Sequence, residues 1–225
     1  MTDTRKQATE AAAPTPPITG RHAAGEDPAK REQILDGAKR IFMGKGFDAA
    51  SMNDVAREAG VSKGTIYVYF QNKEDLFADL IERERTRFAL STRDALEKPA
   101  GVEDALFHFG MTFCQHMMND DVICSMRSVI GVIDRMPGLA RRFFSSESVN
   151  VRSVLRDYLE MQRMQGKLAI DDTDLAARQL IDMCSGSYFK LRLFGEMKKP
   201  PPREELDRVI GSAVRVFMAA YRRAA

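Results

Sequence analysis

The stretch from Ser51 to Phe70 constrains this chain more than any other, because it sets two short helical segments on either side of a glycine-containing turn. Ser51 can cap a first segment that carries Met52, Val55, Ala56 and Ala59 on its inner side, with Asp54 near the positive helix end. Gly60 closes it. Ser62 can cap a second segment from Lys63 to Phe70, before Gln71-Asn72 interrupts. At about 100° per residue, Ile66 and Phe70 lie together, Gly64 and Val68 point almost opposite, and Thr65 and Tyr67 flank that outward face. The pattern is a helix-turn-helix.

With Ile66 and Phe70 inward, the outer face offers a glycine for close backbone approach, two hydroxyls, and Lys63 at a positively polarised helix start. Such groups suit phosphates and base edges. The spacing alone also allows a small basic module in which Tyr67 and Tyr69 are half-buried core aromatics.

A third helix completes the unit. Asp27-Pro28 opens it, Ile34, Leu35, Ala38, Ile41 and Phe42 form its apolar stripe, and Gly44 and Gly46 end it. Residues 28–73 hold eight lysines and arginines against five acids, whereas residues 74–225 balance, so the net charge of +2 conceals a local basic excess. Residues 1–27 are rich in Ala, Thr and Pro and carry three cations against four acids, the composition of a disordered N-terminal arm.

From Lys73 onward, helical periodicity continues over about 73–97, 102–118, 121–134, 138–165, 172–194 and 203–223. The fold class is therefore all-α: a three-helix unit at 28–73, the candidate DNA reader, and a larger helical bundle at 74–225. Phe107, Met111, Phe113, Met117, Met126, Met161 and Met164 are candidates to line an apolar ligand pocket, although at helical spacing each also suits ordinary core.

Other function classes find little support. No GxSxG, P-loop, GxGxxG or HExxH motif occurs, and no catalytic residue or cofactor is indicated. His22 falls in the arm, and His108 and His116 with Cys114 between them match no metal spacing. Cys114, Cys124 and Cys184 form neither a CxxC nor an even set, and the N-terminus lacks the apolar segment of a secretory signal. With no apolar run of about 18 residues either, a cytoplasmic protein without a membrane partner is expected.

The run ILDGAKRIFMGKGFDAASMNDVAREAGVSKGTIYVYFQNKEDLF, Ile34 to Phe77, resembles the TetR/AcrR transcriptional regulators. Its Gly46-Phe47, Ala59-Gly60-Val61-Ser62, Gly64-Thr65-Ile66-Tyr67 and Tyr69-Phe70 carry the likeness. The resemblance implies a homodimeric repressor that binds a double-stranded DNA operator and is released by a small-molecule inducer. Regulation by a partner or by abundance is the alternative.

By the same resemblance, Ser62, Lys63, Gly64, Thr65 and Tyr67 match recognition-helix positions, Tyr69 and Lys73 phosphate-touching positions, and Ser51 a backbone-contacting hydroxyl. Val68 stands where many relatives carry a polar residue and could meet a thymine methyl. The helices at about 172–194 and 203–223 resemble a dimerising pair. The stretch Leu191–Tyr221 resembles the C-terminal region of an AefR-like subgroup.

Overall fold

The computed structural model describes residues 25–99, 101–136, 138 and 149–223. Most of the expected arm, residues 1–24, lies outside these. Nine helices follow one another among the described residues: α1 Pro28–Ala49, α2 Met52–Glu58, α3 Lys63–Tyr69, α4 Lys73–Glu97, α5 Val102–Met117, α6 Asp120–Val132, α7 Val151–Met164, α8 Thr173–Phe194 and α9 Arg203–Tyr221. Outside the helices an isolated antiparallel bridge joins Leu168 to Arg222.

Two boundaries differ from expectation for local reasons. The first helix was expected to stop at Gly44 and Gly46; Gly46 does leave helical geometry at φ +76°, but a further turn follows to Ala49. That turn places Phe47 in the core, where its ring centroid lies 5.8 Å from Phe42 and 4.9 Å from Phe77. The single helix expected over 138–165 is corrected: α7 starts only at Val151. Asn150 caps it, accepting from the Ser153 amide at 3.0 Å while the Ser153 hydroxyl oxygen accepts from the Asn150 amide at 3.0 Å. Residues 139–148 lie outside the described ones.

Two hydrophobic cores result. The N-terminal core gathers Ile34, Leu35 and Phe42 of α1, Val55 of α2, Ile66 of α3, and Leu76, Phe77 and Leu80 of α4. Val129 and Val132 from the end of α6 also belong to it. The boundary expected at residue 73 thus falls inside continuous packing, because the first two turns of α4 serve the reader's core. α1 and α2 approach so closely that a Cβ on Gly37 would stand 2.8 Å from the Ala59 Cβ and 2.9 Å from its amide nitrogen.

The larger core joins α5, α7, α8 and α9 through Leu106, Phe109, Leu155, Leu159, Leu180 and Phe217. α4 spans both cores, since Phe88, Ala89 and Leu96 pack into this second one. Where α6 begins, the buried Arg192 of α8 donates to the Met118 carbonyl at 3.0 and 3.2 Å and pairs with Asp120. Arg127 of α6 in turn donates to the carbonyls of Arg192 and Leu193, both at 2.9 Å. These contacts pin α6 to the end of α8 while its far end enters the reader.

Candidate nucleic-acid interface and internal cavity

The helix-turn-helix is held by its caps. The Ser51 hydroxyl oxygen accepts from the Asp54 amide at 3.1 Å, and Asp54 accepts from the Ser51 amide at 3.2 Å, a reciprocal capping box. The Ser51 hydroxyl, then Lys45 at 3.1 Å, hold the Asp54 carboxyl at about 2. Gly60 turns the chain at φ +66°, which an L side chain adopts with strain. Ser62 then caps α3, accepting from the Thr65 amide at 3.0 Å.

Ile66 and Phe70 are buried, as the helical wheel requires. Lys63, Gly64, Tyr67 and Val68 are exposed, Tyr67 and Val68 at 47% and 51%. Thr65 is half-buried, and its hydroxyl shares a 2.8 Å hydrogen bond with that of Ser62. Tyr69 is half-buried against the reader's core. The structure therefore gathers Ser62, Lys63, Gly64, Thr65 and Tyr67 along one short helix.

Lys73, expected to touch a phosphate, also makes contacts within its own fold. Its ammonium donates to the carbonyls of Phe47, Ala50 and Asp48 at 2.9, 3.1 and 3.3 Å. It also lies 4.5 Å from the centre of the Phe47 ring. The terminal carbonyls of α1 carry partial negative charge, so a cation beside them seats that helix end. A neighbour not foreseen lies beside Val68: a Cβ on Gly25 would meet its Cγ1 at 3.3 Å, so Gly25 lies against the exposed face of α3.

A cavity of about 500 Å³ lies where the two cores meet. α4 contributes Leu80, Ile81, Glu84, Arg85 and Phe88, and α5 contributes Phe113, His116 and Met117. Val122, Ser125 and Met126 of α6, Val151 and Arg152 of α7, and Ile181 of α8 close it. Lys39 and Met43 of α1 reach it from the reader.

Of the pocket candidates read from sequence, Phe113, Met117 and Met126 line this cavity. The other four do not. Met111 is buried in the larger core, and Phe107 packs against that core. Met161 and Met164 are exposed on α7. Helical spacing marks apolar positions without saying which face a void. Lys39, Glu84 and His116 went unrecognised because they meet only through the packing of α1, α4 and α5.

The polar side of the cavity is electrostatically ordered. Lys39 Nζ lies 2.6 Å from Glu84 Oε2. Burial would raise the Glu84 carboxyl, but the hydrogen bond and charge of Lys39, with help from Arg83, outweigh it and hold the group below the usual range. His116 stacks on Phe88 with ring centroids 3.5 Å apart. Burial pushes its pKa down, Glu84 pulls it partly back and Lys39 lowers it again.

No group of three or more His, Cys, Asp or Glu side chains that could hold a metal occurs among the described residues. No helix among them is long and apolar enough to cross a membrane. His108 Nδ1 hydrogen-bonds the Asp104 carbonyl oxygen at 2.8 Å, a local helical contact.

Comparison with known proteins covers both halves. Residues 34–80 match the sequence profile described as bacterial regulatory proteins, tetR family. Residues 104–223 match that of the AefR-like transcriptional repressor C-terminal domain. The "Fatty acid metabolism regulator protein" of Bacillus subtilis is 31% identical over 77 residues, 34% of this chain and 40% of that protein. Alignments to the first three curated relatives span between 26% and 65% of their lengths.

Among solved structures, a TetR-family transcriptional regulator from Mesorhizobium loti has a TM-score of 0.78 at 24% identity, covering 87% of this chain and 98% of that one. The "Flavonoid-responsive Regulator FrrA" has a TM-score of 0.69 at 28% identity, covering 88% of this chain and all of that one.

Proposed function

Because the chain belongs to the TetR family of bacterial regulatory proteins, we propose that it is a homodimeric, sequence-specific DNA-binding repressor that a small apolar or amphipathic molecule releases from its operator. The observation that carries the DNA-binding part is the outer face of α3, where Lys63, Gly64, Tyr67 and Val68 stand exposed above buried Ile66 and Phe70. A short helix with its side chains outward and its N-terminus capped can enter a major groove. On this reading, Thr65 and Tyr67 read base edges, Lys63 and Gly64 allow close approach to phosphates, and Ser51, Ser62 and Tyr69 position the motif.

Homodimerisation is favoured by apolar side chains left uncovered on α8 and α9. Leu175, Leu191 and Phe194 of α8 and Val216 of α9 are exposed, Phe194 at 84%. A Cβ on Gly186 would meet nothing within 4 Å, so α8 also offers a smooth place for close approach. A symmetric partner would cover this surface, and two readers would then address two half-sites.

Effector control is favoured by the cavity, whose wall draws on both cores. Two similar proteins, one flavonoid-responsive and one a regulator of fatty acid metabolism, point to aromatic or acyl compounds. A ligand that fits one arrangement of reader and body better than the other shifts the population by that difference in affinity.

The test is selection of bound fragments from a genomic library, then fluorescence anisotropy on a selected operator and on random DNA. Tight operator binding with a steep salt dependence is expected, and Thr65→Ala should change sequence preference. Equal affinity for operator and random DNA overturns the sequence-specific reading. A monomer mass by light scattering at micromolar concentration overturns the dimer.

A further inference from the structure

The cavity touches the reader through Lys39, and Lys39 is already held by Glu84. We infer that the occupant is an amphipathic acid, a carboxylate or ionised phenol on an apolar body, whose head group takes Lys39 away from Glu84. Lys39 is then the specificity-determining cation of the site, and the ion pair it gives up is the latch between reader and body. This rests on the reading that the cavity holds the effector.

Among the cations that face the cavity, Arg152 is already paired with Asp174 at 3.4 Å, whereas Lys39 meets Glu84 inside the cavity wall, so Lys39 is the cation an acidic head group would engage. The apolar walls supplied by α4, α5 and α6 suit the body of such a molecule.

The exchange leaves no charge stranded. Glu84 Oε1 also accepts from Arg83 at 2.9 and 3.2 Å and lies 3.6 Å from Arg87. When Lys39 turns to an incoming acid, Glu84 keeps Arg83. An incoming cation that took Glu84 would instead leave Lys39, its side chain 40% exposed, to water alone.

The consequence reaches α3 through α1. Four sets of ion pairs seat α1 on α4: Arg31 with Asp79 at 2.5 Å, Arg87 with Glu32 at 2.5 Å, Arg83 with Glu32 and Asp36, and Lys39 with Glu84. In the last of these both partners line the cavity. Opening it loosens the seat of α1, the helix against which α2 and the reader's core pack.

The test uses the full chain and two matched probe series: decanoate, 1-decanol and decyltrimethylammonium, and 4-biphenylcarboxylate with 4-biphenylmethanol. Thermal shift reports binding, and anisotropy on a selected operator reports release. The acid of at least one series should act at a concentration at least about tenfold lower than its alcohol. Lys39→Met should abolish that advantage while leaving binding of the alcohol within about twofold, and should weaken the operator complex without any probe. Lys39→Gln, which keeps a polar group, should behave the same way. Glu84→Gln, which frees Lys39, should tighten acid binding several-fold.

If the alcohol or the ammonium equals the acid, or if both Lys39 variants keep the acid preference, the head-group inference falls and effector control stands. If no probe of either series shifts the melting temperature or releases DNA, effector control falls and takes this inference with it.

Discussion

The reader and the body are both built from amphipathic helices, yet they close their interiors differently. In the reader, the rings of Phe42, Phe47 and Phe77 interlock at 4.9 to 5.8 Å, and Asp27, Ser51, Ser62 and Asn72 cap four successive helices. At the junction with the body, Phe113 and Met117 face a cavity of about 500 Å³. A unit that must match the fixed geometry of a duplex gains from close packing, whereas one that must admit a variable guest gains from unfilled volume.

The largest test of this contrast makes the same truncation in both places. Phe77→Ala should cost about 3–5 kcal/mol, because Phe77 is fully buried between two rings and its removal leaves a new void. Phe113→Ala removes a ring that already borders open volume, so fewer contacts are lost and the cost should fall to about 2–3 kcal/mol. Urea unfolding monitored by circular dichroism measures both. Equal losses would mean that the cavity wall is packed as tightly as the reader.

Legibility in the sequence follows the same divide. The reader was readable because its determinants are local: Ser51, Ser62 and Gly60 act within a few residues of themselves, and the inward placing of Ile66 and Phe70 follows from helical angle alone. The cavity was not, because it arises where α1, α4, α5, α6, α7 and α8 converge, and no spacing within one helix encodes that meeting. Phe113, Met117 and Met126 were found by composition, but so were Met161 and Met164, which face solvent. The start of α7 was hidden because Asn150 and Ser153 form a cap within an otherwise continuous helical pattern.

Lys73 tests whether the reader's basic residues all serve DNA. Three carbonyl contacts, discounted for partial exposure, give an expected loss of about 1–2 kcal/mol for Lys73→Ala. A structural lysine predicts a lower melting temperature and an unchanged slope of log affinity against log salt. A lysine that contacts a phosphate predicts a slope smaller by about one.

His116 offers a smaller test on the body side, through pH. Its folded pKa lies below the ordinary 6.5 because it is buried against Phe88, with Glu84 partly opposing the shift. Just below that value the unfolded chain binds the proton first, so stability rises with pH through the window beneath 6.5 and levels off above it. His116→Gln should flatten that part of the curve relative to the parent chain in urea unfolding at pH 5, 6 and 7, since groups common to both cancel. Identical slopes would mean that His116 is solvated, contrary to its stacked position in the cavity wall.

The smallest expected effect on stability, and the most informative about the reader's surface, belongs to Lys63→Ala. Lys63 is exposed at the first position of α3, so removing its charge should change stability by less than about 0.5 kcal/mol. If its ammonium meets a phosphate, affinity should fall by the same factor on operator and random DNA, and the salt slope should shrink by about one. Lys73 and Lys63 then form a pair with opposite signatures: one lowers the melting temperature and spares the slope, the other spares the melting temperature and lowers the slope. A Lys63→Ala chain with an unchanged slope would shift the phosphate contact elsewhere on the motif and leave the outer face of α3 to act through Thr65 and Tyr67.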